Sequence, residues 1–162
     1  MKPLRSGLIL AAVVLYPALT ALAFPNPVFK NGLPFAAPFA LFFLFFLLLK
    51  TEKSRFLSVP ASGVLTYLFV CYWLWTFNPL AMIFVCTVMA FAYLLLAVYA
   101  AAVRRLFGDA AWIAAAAGFT VFEALKTVGF LAFPYGIIGY TQYSVPGVRG
   151  IAAGFAEFPD LP

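Results

Sequence analysis

Five apolar runs, separated by short polar or proline-bearing breaks, divide the chain. The first extends from Gly7 to Phe24 behind the basic start Met1-Lys2-Pro3-Leu4-Arg5. Phe24-Pro25-Asn26-Pro27 ends it, because proline lacks an amide donor and restricts the residue before it. The second run, Leu33 to Leu49, contains Phe-Phe-Leu-Phe-Phe and is apolar all round, which predicts a large lipid-facing surface. The cluster Lys50-Thr51-Glu52-Lys53-Ser54-Arg55 precedes a third run, Phe56 to Phe77, with Tyr72, Trp73 and Trp75 near its end. Tyr and Trp favour the membrane–water interface. Asn78-Pro79 predicts a tight turn into the fourth run, Leu80 to Val103, closed by Arg104-Arg105 and Gly108-Asp109. The fifth run is Ala110 to Phe133.

Each run is close to the roughly 20 residues a helix needs to cross a bilayer. The pattern therefore predicts an all-α integral membrane protein with about five spans, at 7–24, 33–49, 56–77, 80–103 and 110–133. The start also fits a cleavable signal peptide ending at Ala21-Leu22-Ala23. The 18-residue run and the spans behind it favour an uncleaved first helix. Residues 134–146, rich in Gly, Tyr and polar groups, predict a structured loop or re-entrant segment. Residues 147–162 carry Arg149, Glu157 and Asp160 and are too short to span as a helix, so they are expected to form an incomplete sixth element.

Composition agrees: 66% of the 162 residues are hydrophobic, 9% are charged, and the mean hydropathy is +1.06. A soluble domain averages about 25% charged residues, so a soluble enzyme, a coiled coil and a disordered chain are excluded. The +5 net charge sits in short clusters between the runs, with no basic face for nucleic acid. With the N-terminus inside, the inner segments hold Lys2, Arg5, Lys50, Lys53, Arg55, Arg104 and Arg105, against Lys30 and Arg149 outside. That bias predicts a cytoplasmic N-terminus and an outer location for 134–146. There is no His, and Cys71 and Cys86 lack metal-ligand spacing, so neither a metal site nor a cofactor is expected.

Glu123 and Lys126 are the one ionisable pair inside a run, and their i, i+3 spacing puts them on one helix face. Such residues are costly at membrane depth and mark function by default. Two readings stand: an ion pair fixing this helix against its neighbours, or a pair lining a polar cavity. The nearby loop offers Gly136 and Gly139 for sharp turns and Tyr135, Tyr140 and Tyr143 for an interface, while Gln142 adds donors and an acceptor. It reads either as an interfacial belt or as the wall of a lipid or lipopeptide site.

The run Phe122-Glu123-Ala124-Leu125-Lys126, then Phe133-Pro134-Tyr135, then Gly139-Tyr140-Thr141-Gln142, resembles apolipoprotein N-acyltransferase. That family shows Glu-Trp-Leu-Arg, Phe-Pro-Trp and Gly-Tyr-Ser-Gln in this order and with similar gaps. Pro146 to Ala152 resembles its next segment, and Phe24-Pro25 and Tyr72 to Trp75 fit its first helices more loosely. Lys126 stands where the family has Arg, and Lys lacks Arg's planar fork. The resemblance implies an inner-membrane enzyme of lipoprotein maturation. Such an enzyme moves an acyl chain from a phospholipid donor to the N-terminal diacylglyceryl-cysteine of a lipoprotein acceptor.

The family's catalytic Glu, Lys and Cys belong to a nitrilase-like domain, so the resemblance places no catalytic residue in this chain. Glu123, Lys126, Pro134, Tyr135, Gly139, Tyr140 and Gln142 are carried over as membrane-domain motif positions, structural or lipid-binding. The chain is expected to be inactive alone, as a gene fragment, a frameshifted copy or half of a split enzyme. The alternative is a stand-alone small membrane protein that binds or transports lipid or another small substrate.

Overall fold

The computed structural model describes residues 3–128, 133 and 135–145. These form six α-helices, with no strand among the described residues: α1 (Pro3–Ala23), α2 (Ala36–Lys50), α3 (Arg55–Val70), α4 (Tyr72–Phe77), α5 (Pro79–Phe107) and α6 (Ala111–Leu125). A 3-10 segment, Ile138–Ser144, lies in the loop beyond α6. α1 packs on α2 and α3, α3 packs on α5, and α5 packs on α6.

The breaks follow local chemistry. Past α1, the Asn26 side chain donates to the carbonyls of Ala21, Leu22 and Phe24 and accepts from the amides of Val28 and Phe29. It thus satisfies helix-end carbonyls and shapes the turn at once. Gly32 then folds back at φ 69°, where a Cβ would sit 2.3 Å from the Ala23 carbonyl oxygen. Asn78 caps α5 by accepting from the amides of Leu80 and Ala81, with Pro79 in the first helical turn.

Several boundaries differ from the sequence pattern, among them α1 starting at Pro3 and α2 at Ala36. The run 56–77 is broken at Cys71 (φ −109°, ψ 24°), which separates α3 from the short α4. The Tyr-Trp-Leu-Trp sequence that follows has modest helix propensity. The bend leaves Tyr72, Trp73 and Trp75 exposed. α5 runs past Val103 through Arg104 and Arg105, whose charges suit the negative end of a helix dipole. α6 stops at Leu125, eight residues short of the predicted end, with Lys126 as its C-cap. Residues 129–132, Pro134 and the expected element at 147–162 lie outside the described residues.

α2 is not uniformly exposed. Ala36, Ala37, Ala40, Leu44, Leu47 and Leu48 face the core, while Phe39 and Phe42 point out. Small residues and helix spacing, rather than hydrophobicity, decide which face is buried. Ser6–Ala23 and the Pro79–Leu125 stretch that holds α5 and α6 are long and apolar enough to cross a membrane, while α2 and α3 are shorter.

The core is crossed by paired polar groups. The hydroxyls of Tyr16 and Tyr93 lie 2.7 Å apart, both buried. Gly63 of α3 lies beneath the Tyr93 ring, and a Cβ there would come within 2.5 Å of Cγ. Gly118 of α6 meets Tyr99 of α5 in the same way, at 2.1 Å from Cε1. Each glycine makes room for a ring at a helix crossing. Gly63→Ala is expected to destabilise the bundle by about 1–3 kcal/mol through overpacking. Thermal unfolding in detergent, followed by helical circular dichroism, measures it.

Candidate functional site

α6 brings Glu123 and Lys126 to the end of the bundle where α3 and the 135–145 loop meet. Both are buried. Lys126 Nζ lies 2.5 Å from Glu123 Oε1, with side-chain exposures of 5% and 11%. The ammonium also donates to Tyr67 Oη and to the Gly136 carbonyl, each at 3.2 Å. Its three protons therefore have three acceptors. It also lies 5.7 Å from the centroid of the Tyr67 ring and 5.6 Å from that of Phe122. Glu123 uses its other oxygen, Oε2, to accept from the Ile138 amide at 2.7 Å.

The pair thus clasps the loop by its main chain. Tyr67 Oη donates to the Tyr135 carbonyl at 3.4 Å. Carbonyls 135 and 136 and amide 138 are all satisfied by side chains from α3 and α6. Gly136 has φ 71° beside the Tyr67 ring, the left-handed conformation that glycine permits. Further along, Thr141 donates to the Ile138 carbonyl. Gln142 Nε2 donates to the Pro34 carbonyl at 2.9 Å, tying this loop to the one between α1 and α2. Edge-on and tilted ring contacts complete the clasp: Trp73 against Tyr135 at 5.6 Å, and Phe133 between Tyr67 and Tyr135.

Of the residues expected from sequence, the structure gathers Glu123, Lys126, Tyr135 and Gln142. Tyr140 is exposed, and with Phe24, Pro25, Val70, Tyr135 and Gly136 it lines a hollow of about 370 Å³. Gly139 is exposed with open space where a Cβ would sit, so no close approach requires glycine there. Pro134 lies outside the described residues. Cys71 is buried and Cys86 half-buried, both as free thiols. Sequence reasoning missed Tyr67. Its signal is a tyrosine in the interior of an apolar run, where a hydroxyl needs a partner, rather than at the run's end.

Residues 16–156 match the family description "Apolipoprotein N-acyltransferase N-terminal domain". The chain belongs to the apolipoprotein N-acyltransferase family. Apolipoprotein N-acyltransferase 1 of Treponema denticola is 36% identical over 138 residues, covering 85% of this chain and 25% of that protein. The protein of the same name from Treponema pallidum is 36% identical over 150 residues, covering 88% of this chain and 26% of that protein. The chain thus spans about a quarter of the length of these curated relatives. No solved structure matches it. The clasp, from Glu123 to Gln142, lies wholly within the stretch that matches the family.

Removing one partner of the pair is expected to cost about 3–5 kcal/mol, because the other charge stays buried and unpaired. Lys126→Met should therefore destabilise strongly, and Glu123→Gln/Lys126→Met together should recover much of the loss. Unfolding of the single and double variants, with amide exchange at Ile138, reads both effects. An unprotected Ile138 amide in Glu123→Gln alone would show that the carboxylate holds the loop.

Proposed function

We propose that this chain is the membrane-embedded N-terminal portion of an apolipoprotein N-acyltransferase, seated in the inner membrane with five spans and a cytoplasmic N-terminus. Its role is to anchor the enzyme and to present a fixed outer surface, the 135–145 loop, at headgroup level. The observation that carries this reading is the buried Glu123–Lys126 pair, which holds the loop through Tyr67, Gly136 and Ile138 inside the family-matched stretch. A loop clasped by its backbone leaves the Tyr140 ring, and the exposed side of the Tyr135 ring, to face lipid.

The full enzyme would take its acyl chain from a phospholipid and deliver it to a diacylglyceryl-cysteine on a lipoprotein, with its catalytic groups outside the matched quarter. Within this chain the pair acts as a structural tie. All three ammonium protons are committed to protein acceptors, and among the described residues neither buried Cys71 nor half-buried Cys86 is paired with an activating base.

The reading is tested by exchange. This chain, put in place of the matching quarter of the Treponema denticola enzyme, should insert in the membrane and support acylation of a diacylated lipopeptide. The chain alone should give none. An exchanged protein that inserts but never acylates, or acylation by the chain alone, overturns the proposal.

A further inference from the structure

The end of the bundle opposite the clasp holds a second arrangement, independent of the transferase reading. The C-terminus of α2, the N-terminus of α3 and the C-terminus of α5 converge there. These termini carry Lys50, Lys53, Arg55, Arg104 and Arg105 against Glu52 and Asp109, with Arg55 close enough to Arg104 and Glu52 to feel their charges. Asp109 is spent on Arg104, at 3.1 Å. Arg55 is buried, with its Nε donating to the Thr51 carbonyl. Burial first, and then the Arg104 charge, push the Arg55 guanidinium below its usual range, and Glu52 opposes them. The end carries more positive charge than its own acids balance.

A groove of about 280 Å³ opens at this end between α1 and α3. Ser6, Ser54 and Ser58 line it, and Ile9, Val13 and Ala61 continue it towards the bilayer interior. Ser58 is 6% exposed, and among the described residues its hydroxyl has no hydrogen-bond partner. A buried hydroxyl without a partner is a cost that a ligand acceptor would relieve. Ser54 and Ser58 are one turn apart, about 6 Å along the helix. Ser54 begins α3 without capping it by its side chain, so its hydroxyl is not spent on the helix end.

We propose that this groove binds one anionic glycerophospholipid. Its phosphate sits by Lys53 and the start of α3, an ester carbonyl accepts from Ser58 Oγ, and an acyl chain follows Ile9, Val13 and Ala61. Charge selects the headgroup, the buried hydroxyl reads the ester one turn deeper, and the apolar floor takes the chain.

The chain reconstituted in phosphatidylcholine nanodiscs tests this, with either phosphatidylglycerol or phosphatidylcholine spin-labelled near the ester end of one chain. The phosphatidylglycerol label should show the larger immobilised fraction. Lys53→Gln should reduce its preference about fivefold, the worth of one basic side chain near a headgroup. Ser58→Leu, which fills the groove, should abolish the immobilised fraction while Ser58→Ala retains part of it. If Ser58→Leu fails to fold, Ala61→Leu blocks the deeper part of the same groove and should act alike. Equal immobilisation of the two labels would mean neutral lipid in the groove, and no immobilised fraction would mean a protein segment there; either overturns the proposal. So does an unchanged signal in the folded leucine variants.

Discussion

A carboxylate and an ammonium in apolar surroundings can stay charged only by holding each other, and here that pair also holds a loop. Glu123 on the last turn of α6 and Lys126 at its C-cap sit side by side, yet their remaining valences reach outward, to Tyr67 on α3 and to the main chain at 136 and 138. The arrangement turns the expense of burial into geometry. Carbonyls 135 and 136 and amide 138 each find a side chain waiting as they leave water. The identity of the loop's side chains then matters less than the path of its backbone, and conservative changes such as Tyr135 and Thr141 in the family motif fit within that path.

The same rule organises the rest of the core. Tyr16 and Tyr93 share a hydrogen bond, and Thr20, Ser62 and Thr66 donate to carbonyls of their own helices. Where rings cross helices, Gly63 and Gly118 yield the space. The bundle is held by close approach and by satisfied polar groups rather than by apolar segregation alone, which is weak when the surroundings are as apolar as the core.

Much of this was legible in the sequence. The order of the apolar runs located the helices, Asn78-Pro79 announced the start of α5, and the i, i+3 spacing put Glu123 and Lys126 on one face. The break at Cys71 was not legible, because the run stays apolar through it and hydropathy does not register a bend. Nor was Tyr67, whose partners are 59 and 68 residues away. Periodicity reports the face a residue occupies, not the distant group that meets it. Composition marks a loop without saying which glycine bears the turn; the left-handed conformation falls at Gly136.

The unequal helix lengths carry a mechanical consequence. With 15 and 16 residues, α2 and α3 are only ~23 Å long, whereas the 29 residues of α5 reach ~43 Å, against a hydrocarbon thickness of ~30 Å. A bilayer enclosing this bundle must thin beside the short pair and let α5 tilt or protrude. Lipids around the protein would then be under uneven elastic stress, drawn in on one flank and stretched on the other. The molecule would deform its surroundings as well as float in them.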